Sequence, residues 1–433
     1  MNGLTALVLG LVLVLSACGI RDAVLAPPPN LYATGKNYPT DTVPVPLRNT
    51  APRIFYVTGR NPEPGPDGTV SYGLERSESM AFGTARVRFG AADWDDLVAR
   101  THQDGKRSLS SLEVERIDEV VRFREVPLAT ERTDGELIFD PEQKAEYDAG
   151  GEAFKAAVRA EIARTGNRRI LIFTHGVRND FTSSVTSLAN LWHFTGRGSI
   201  PIAFTWPAGN AGLLGYFRDR EAGDFSVFHA KEMLRLLAEM PEVEDIDIVA
   251  HSRGTDVMAK ALRELVIYHR GRGKLPKTAM KTGTLILAAA DLDTGVVRQR
   301  LQAERFSEAF EQINIYINPT DGALRLSSFL GNVPRLGSAT AETLTPQDIA
   351  RLGKAELVFF IRAENIAGTG HSYFRNNPAV LSDIVLTLRT RAFPGGTLRP
   401  LEQGADGFWQ LHPNYPLERL PDLSDAASRR EER

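Results

Sequence analysis

Ser252, Asp321 and His371 are the residues whose types and order in this chain could perform nucleophilic catalysis. A serine hydroxyl is a poor nucleophile until a base removes its proton. An imidazole such as His371 can take that proton and return it to the leaving group. A carboxylate such as Asp321 would fix the imidazole tautomer and stabilise the imidazolium. Ser252 stands in Ala250-His251-Ser252-Arg253-Gly254, directly after the apolar run Ile246-Asp247-Ile248-Val249. A strand, then small-X-Ser-X-Gly, then a helix is the layout of a nucleophile elbow. The motif ordinarily opens with Gly, and Ala250 meets the same steric need with a looser match. The attacked carbonyl would develop an oxyanion, which backbone N–H groups should meet. Arg253 can supply one N–H, and Val177, after His175-Gly176, the other.

Each assignment has a competitor. Asp321 could simply cap the segment 322–329, because Asp is a favoured N-cap. Asp291 and Asp293 are rival acids, Asp291 the stronger. His412 is the weaker rival to His371. His251 lies inside the elbow and should point away from the Ser252 hydroxyl, and His175 should order the oxyanion loop. His102, His193, His229 and His269 fall in helical or peripheral stretches and are expected to be structural. No His-Glu-X-X-His or comparable spacing occurs, so a metal site is not expected, and the chemistry calls for no cofactor.

The elements that must position these groups are short apolar runs at 170–173, 200–204, 246–249, 285–288, 313–317 and 357–361. Their runs are continuous rather than alternating, as in strands covered on both faces. Helical stretches separate them, so the expected fold class is α/β, with a mostly parallel, doubly wound sheet. Sites in such sheets form beyond the carboxyl ends of the strands. His175, Ser252, Asp321 and His371 follow the first, third, fifth and sixth runs. The chain order Ser, Asp, His is that of an α/β-hydrolase. Trp206-Pro207 ends the second run, where Trp206 could line an acyl pocket or cover the core.

Before residue 168 the pattern differs. Runs at 53–57, 85–89 and 120–123, separated by turn signals, predict a β-rich N-terminal extension. Residues 142–164 read as a helix, with Phe154, Val158 and Ile162 at helical spacing. Residues 22–50 are rich in Pro and Asn and read as a flexible tether. The expected organisation is a leader at 1–17, tether at 18–50, extension at 51–140, main domain at 141–400, and a C-terminal extension and tail at 401–433.

The 433 residues are 42% hydrophobic and 24% charged, with a formal net charge of -3. That balance gives no electrostatic reason to expect nucleic acid. Cys18 is the single cysteine, which excludes an intrachain disulfide and a Cys-rich zinc site. It follows an apolar run at 4–15, too short to span a bilayer but suited to a signal-peptide core. Leu15-Ser16-Ala17-Cys18 resembles a bacterial lipobox, in which the Cys is acylated and becomes the new N-terminus. No Lys or Arg precedes the apolar run, a departure from that pattern. The resemblance implies a lipid-anchored, periplasm-facing protein. Gly19, in place of Asp, leans toward the outer membrane.

The chain also resembles the bacterial α/β-hydrolase family once catalogued as a domain of unknown function, DUF900. The matching stretches are Phe173-Thr174-His175-Gly176, Phe204-Thr205-Trp206-Pro207, Tyr216-Phe217-Arg218-Asp219-Arg220, the elbow, Asp321 through Ser327, and Gly370-His371-Ser372-Tyr373. Phe55 through Arg60 resembles that family's lead-in. The segment Val177-Arg178-Asn179-Asp180 departs from the Tyr-Asn-Asn type of run associated with the family. The resemblance implies an α/β-hydrolase fold with Ser252, Asp321 and His371 as its triad. The expected activity is cleavage of an acyl ester or related bond through an acyl-enzyme. A binding or scaffolding lipoprotein that keeps the fold without turnover is the alternative.

Overall fold

A computed structural model describes residues 24–65, 69–102, 111–363, 370–421 and 423. The strands are β1 (Arg53–Pro64), β2 (Val70–Phe89), β3 (Leu112–Arg122), β4 (Thr130–Thr133), β5 (Glu136–Phe139), β6 (Arg169–Thr174), β7 (Ile200–Thr205), β8 (Asp245–His251), β9 (Thr282–Ala288), β10 (Gln312–Ile317), β11 (Val358–Ala363), β12 (Glu402–Gln403) and β13 (Trp409–Leu411). Eleven of them form one sheet in the order β12-β13-β11-β10-β9-β8-β6-β7-β1-β2-β3, and β4 pairs with β5 in a separate hairpin. The strands from β7 through β6, β8, β9 and β10 to β11 are parallel neighbours, as their continuous apolar runs require.

The principal helices are α1 (Trp94–Thr101), α2 (Pro141–Thr165), α3 (Phe181–Phe194), α4 (Gly212–Ala238), α5 (Gly254–Gly271), α6 (Gly322–Gly331), α7 (Pro346–Ala355) and α8 (Pro378–Thr390). Alternate strand residues feed two cores, one on each face of the sheet. In β8, Ile246, Ile248 and Ala250 join Met233 and Leu237 of α4 and Leu262 of α5. Val249 points the other way, into a core with Val185 of α3 and Ile384 of α8. Helix starts follow local chemistry. Asp180 accepts from the Ser183 N–H at 2.7 Å to cap α3, and Asn377 caps α8 with Pro378 in its first turn. The predicted helix at 142–164 is α2, capped by Asp140 and ended by Gly166 at φ 75°.

The β-rich N-terminal region is observed, but not as a unit packed on the domain. β1 runs parallel to β7, and β2 and β3 follow antiparallel, so this region is one edge of the main sheet. The other edge comes from beyond residue 401, where β13 pairs parallel with β11.

The tether expected over 18–50 is corrected from Val24 onward. Leu25, Leu31, Tyr32, Tyr38, Val43 and Leu47 are buried. Asn190 of α3 accepts from the Ala26 N–H at 3.0 Å, Tyr32 donates its hydroxyl to the Phe194 carbonyl, and Tyr38 meets His193 Nδ1 at 3.2 Å. Scattered apolar side chains among prolines show no period, yet the segment packs against α2, α3 and α8. Cys18 and the leader lie outside the described residues, as does the end of the tail.

A buried polar knot joins the C-terminal edge to the rest. Arg399 and Asp383 are both fully buried and bond through two contacts of 2.9 and 2.7 Å. Tyr316 and Tyr415 donate to the same carboxylate at 2.7 and 2.9 Å, and Arg399 reaches Asn314 at 2.7 Å. Removing one partner of such a pair leaves the other charge uncompensated. Arg399→Ala is therefore expected to lower the unfolding free energy by about 3–5 kcal/mol in urea titration. A loss below ~1 kcal/mol would show that the knot contributes no more than a surface pair.

Candidate active site

β8 delivers Ser252 into a tight turn before α5. Its φ is 53°, a left-handed conformation that a non-glycine residue holds only when its surroundings enforce it. The enforcement is visible. The Ser252 N–H donates to the Ala288 carbonyl at 3.0 Å, and its carbonyl accepts from the N–H groups of Thr255 and Asp291 at 3.0 and 3.3 Å. Two glycines permit the close approach. A Cβ on Gly254 would lie 2.3 Å from the His175 carbonyl oxygen, and one on Gly176 would lie 2.6 Å from the Ser252 Cβ. Ala250 is fully buried, so its methyl fills core where the usual glycine would leave space.

The loop after β11 brings His371 to Ser252, with Nε2 at 2.9 Å from Oγ. Its Nδ1 lies 2.8 Å from Asp321 Oδ2, at the end of β10. A carboxylate only accepts, so Nδ1 carries the proton and Nε2 is free to receive one from the serine. The other oxygen of Asp321 caps α6, accepting from the N–H groups of Ala323 and Leu324 at 2.9 and 3.0 Å. One oxygen of Asp321 thus faces His371 while the other caps α6. Asn318 holds the turn before His371 through the Gly370 carbonyl at 3.0 Å.

Asp291, the rival acid, is engaged elsewhere. It accepts from Ser327 Oγ at 2.6 Å and from the Tyr216 hydroxyl at 3.2 Å, and it faces Arg335 at 3.3 Å. Asp293 caps the turn that follows it. His251 turns away from the serine hydroxyl and donates Nε2–H to the His371 carbonyl at 3.1 Å. Burial, then the neighbouring His371, holds its imidazole well below the ordinary histidine range, so it is a neutral donor. His412 is exposed on the C-terminal stretch.

The loop after β6 carries Val177, and the elbow after β8 carries Arg253. Among the described residues, neither the Val177 nor the Arg253 backbone N–H is given to a protein acceptor. His175 donates Nδ1–H to the Gly176 carbonyl at 2.8 Å and stacks on Trp206 at 5.1 Å. Burial, then the charge of Arg60, pushes its pKa down to about 3. Trp206 is fully buried and donates Nε1–H to the His175 carbonyl at 2.8 Å. It supports the loop and fills the core rather than lining an open pocket.

Two supporting residues went unassigned in the sequence. Arg60 is fully buried and bonds the carbonyls of Gly73, Ala208 and Asn179 at 2.8–2.9 Å. Asp219 fixes Arg178, whose φ is 60°, through its N–H at 2.8 Å. Both lie in stretches that carried the family resemblance, but a charged residue in a sequence gives no sign that its partners are backbone groups from distant loops.

A comparison with family models matches residues 151–389 to DUF900, described as an alpha/beta hydrolase of unknown function. The chain belongs to this family. The match spans the elbow, Asp321 and His371 and agrees with the observed sheet. A comparison with curated proteins finds no match.

In this alpha/beta hydrolase the charge state of His371 follows from its neighbours. Burial alone would lower its pKa, but the charge and hydrogen bond of Asp321, and then the charge of Asp291, raise it above the ordinary value. Only the neutral imidazole can act as base. Hydrolysis should therefore fall as pH drops through a midpoint above the unperturbed value of about 6.5. A kcat/KM profile checks this. In Asp321→Asn the midpoint should move down.

Proposed function

We propose that this alpha/beta hydrolase is a serine hydrolase of the esterase type. Ser252 Oγ attacks an acyl carbonyl while His371 Nε2 takes its proton. Asp321 keeps the imidazole oriented and stabilises its charged form. The N–H groups of Val177 and Arg253 receive the oxyanion; losing one such donor costs about 3–4 kcal/mol in comparable sites. His371 then protonates the departing alcohol, and an acyl group remains on Ser252. Water, activated by the same imidazole, releases the acid. The observation that carries this reading is the unbroken chain from Ser252 through His371 to Asp321, at 2.9 and 2.8 Å. No cofactor enters the scheme.

The test is covalent labelling with a fluorophosphonate, followed by turnover of a panel of short acyl esters. Labelling of folded protein at Ser252 is expected. Failure to label would favour a binding or scaffolding protein that retains the fold.

The proposal includes anchorage through acylated Cys18, with the domain facing the periplasm from the outer membrane. Its support is Leu15-Ser16-Ala17-Cys18 after an apolar run. Cys18→Ser is expected to move the protein from the membrane fraction to the soluble fraction and to abolish incorporation of labelled palmitate. Unchanged fractionation would remove the anchor from the scheme.

A further inference from the structure

The end of the sheet opposite Ser252 holds a cavity of about 350 Å³. β1 begins there at Arg53 and meets Thr205, the last residue of β7, only at Thr58. Ser252 follows the other end of the parallel strands, after β8, so the cavity is separate from the nucleophile. Its lining includes no acid but three arginines, Arg53 of β1, Arg86 of β2 and Arg164 at the end of α2. Leu47, Asn49 and Thr50 belong to the same wall.

The charge at this cavity is unbalanced. Glu161 of α2 accepts from Arg53 at 3.2 Å and from Arg164 Nε at 2.9 Å, so one carboxylate serves two guanidinium groups. Arg86 is exposed and, among the described residues, has no acid partner. It stands in register with Arg53 across β1–β2 and with Arg116 across β2–β3. Arg116 is bonded to Asp118 at 2.6 Å. Arg86 and Arg53 remain as like charges directly opposite each other, an arrangement that destabilises a sheet. An anion between them removes that cost.

A fourth arginine adds to the field from inside. Arg197 does not line the cavity, but its Nη1 donates to the carbonyls of Leu47 and Asn49, which do, at 2.6 and 2.8 Å. It is fully buried, and its Nη2 has no acceptor. The rings of Phe89, Trp94 and Trp192 lie 4.8–5.3 Å from it. Its neighbours thus supply carbonyls and π-faces rather than a counter-charge, and a buried charge is screened far less than an exposed one.

An occupant of this site must therefore be an anion, and the balance indicates its charge. Three lining guanidinium groups against one carboxylate leave two positive charges. A carboxylate ligand would neutralise one of them; a phosphate monoester carries about −1.5 to −2. Guanidinium groups also match phosphate oxygens through paired N–H···O bonds. The volume is at the lower end of the range of about 300–1,000 Å³ for small-molecule sites, so the group carrying the phosphate is small. We propose that this cavity binds a phosphate monoester, carried by a small soluble molecule or by a lipid headgroup. The site goes beyond the hydrolase reading and stands whether or not Ser252 turns over esters.

The full chain is titrated by calorimetry with glycerol 3-phosphate and with acetate, at about 0.15 M salt. In parallel it is sedimented with phosphatidylcholine vesicles with and without phosphatidic acid. Saturable binding of at least one phosphate source is expected, and none of acetate. Binding in the titration alone marks a soluble ligand, and retention by phosphatidic acid vesicles alone marks a headgroup. Arg86→Gln and, separately, Arg53→Gln should weaken that binding by about tenfold or more, the scale of one charge-assisted hydrogen bond. Arg86→Gln should also keep the wild-type Tm in phosphate-free buffer, because it relieves an opposed charge. Arg88→Gln is the control: Arg88 lies on the same face of β2, is paired with Glu115 and does not line the cavity. Its substitution should leave binding unchanged. Failure of both phosphate sources to bind, acetate binding as tightly as phosphate, wild-type affinity in folded Arg86→Gln, or equal weakening by Arg88→Gln would overturn the proposal.

Discussion

Ser252→Ala is expected to abolish fluorophosphonate labelling and to lower ester turnover by about 10⁶-fold, the scale seen when the nucleophile of a serine triad is removed. The fold should survive. Ser252 donates and accepts through its backbone in the elbow, and alanine keeps those bonds. The loss of a single hydroxyl therefore removes chemistry without removing structure. What remains should be the background supplied by the oxyanion donors and by substrate binding. Persistent labelling of the variant would place the nucleophile elsewhere. Substantial ester turnover by it would mean that the serine-bound intermediate is not on the path.

Asp321→Asn and Asp291→Asn should separate cleanly, because the two carboxylates do different physical work. Asn at 321 can still cap α6 through its oxygen, since Asn and Asp are comparable N-caps. Stability should change by less than about 1 kcal/mol. Its amide now faces His371 Nδ1 with a donor, which favours the wrong tautomer, and turnover should fall by about 10⁴-fold. Asn at 291 does the reverse. It leaves Arg335, itself buried, without its counter-charge, and stability should fall by about 3–5 kcal/mol. Its effect on His371 is only a secondary charge contribution, so turnover per folded molecule should fall by no more than about tenfold, the equivalent of one pKa unit. Urea titration paired with active-site counting measures both quantities. The opposite ranking in turnover would make Asp291 the acid.

The residues that could be read in the sequence share a property: their evidence is local. Ile246-Asp247-Ile248-Val249 announces a buried strand, and small residues at 250 and 254 announce the turn that follows. Asp321 and His371 could be found because strand ends are recognisable and sites gather beyond them. The residues that escaped depend on distant partners. Tyr32 and Tyr38 lie in a proline-rich stretch with no period, and only the positions of α1, α3 and α8 explain their burial. Arg60 and Arg399 are charged residues that sequence reasoning assigns to the surface; their burial is tolerated because carbonyls and carboxylates from remote segments surround them. Trp206 could be placed at the right edge of the sheet, but its contact with the His175 carbonyl depends on the packing between two loops. The division of labour between the oxygens of Asp321 was invisible for the same reason, since spacing cannot tell which oxygen faces which partner.

The two edges of the sheet also have a consequence in time. β11 is left with an open side until β13 is made, and β1 waits for β7 before it can pair on its parallel side. Nascent chains therefore carry unsatisfied strand edges, a known aggregation hazard, through most of synthesis. Such long-range pairings also slow folding. The knot around Asp383 closes only when Arg399 and Tyr415 have both emerged. Residues 399–415 are thus made after Ser252, Asp321 and His371: a chain stopped short of them keeps those three residues in its sequence but lacks the clasp beside β11.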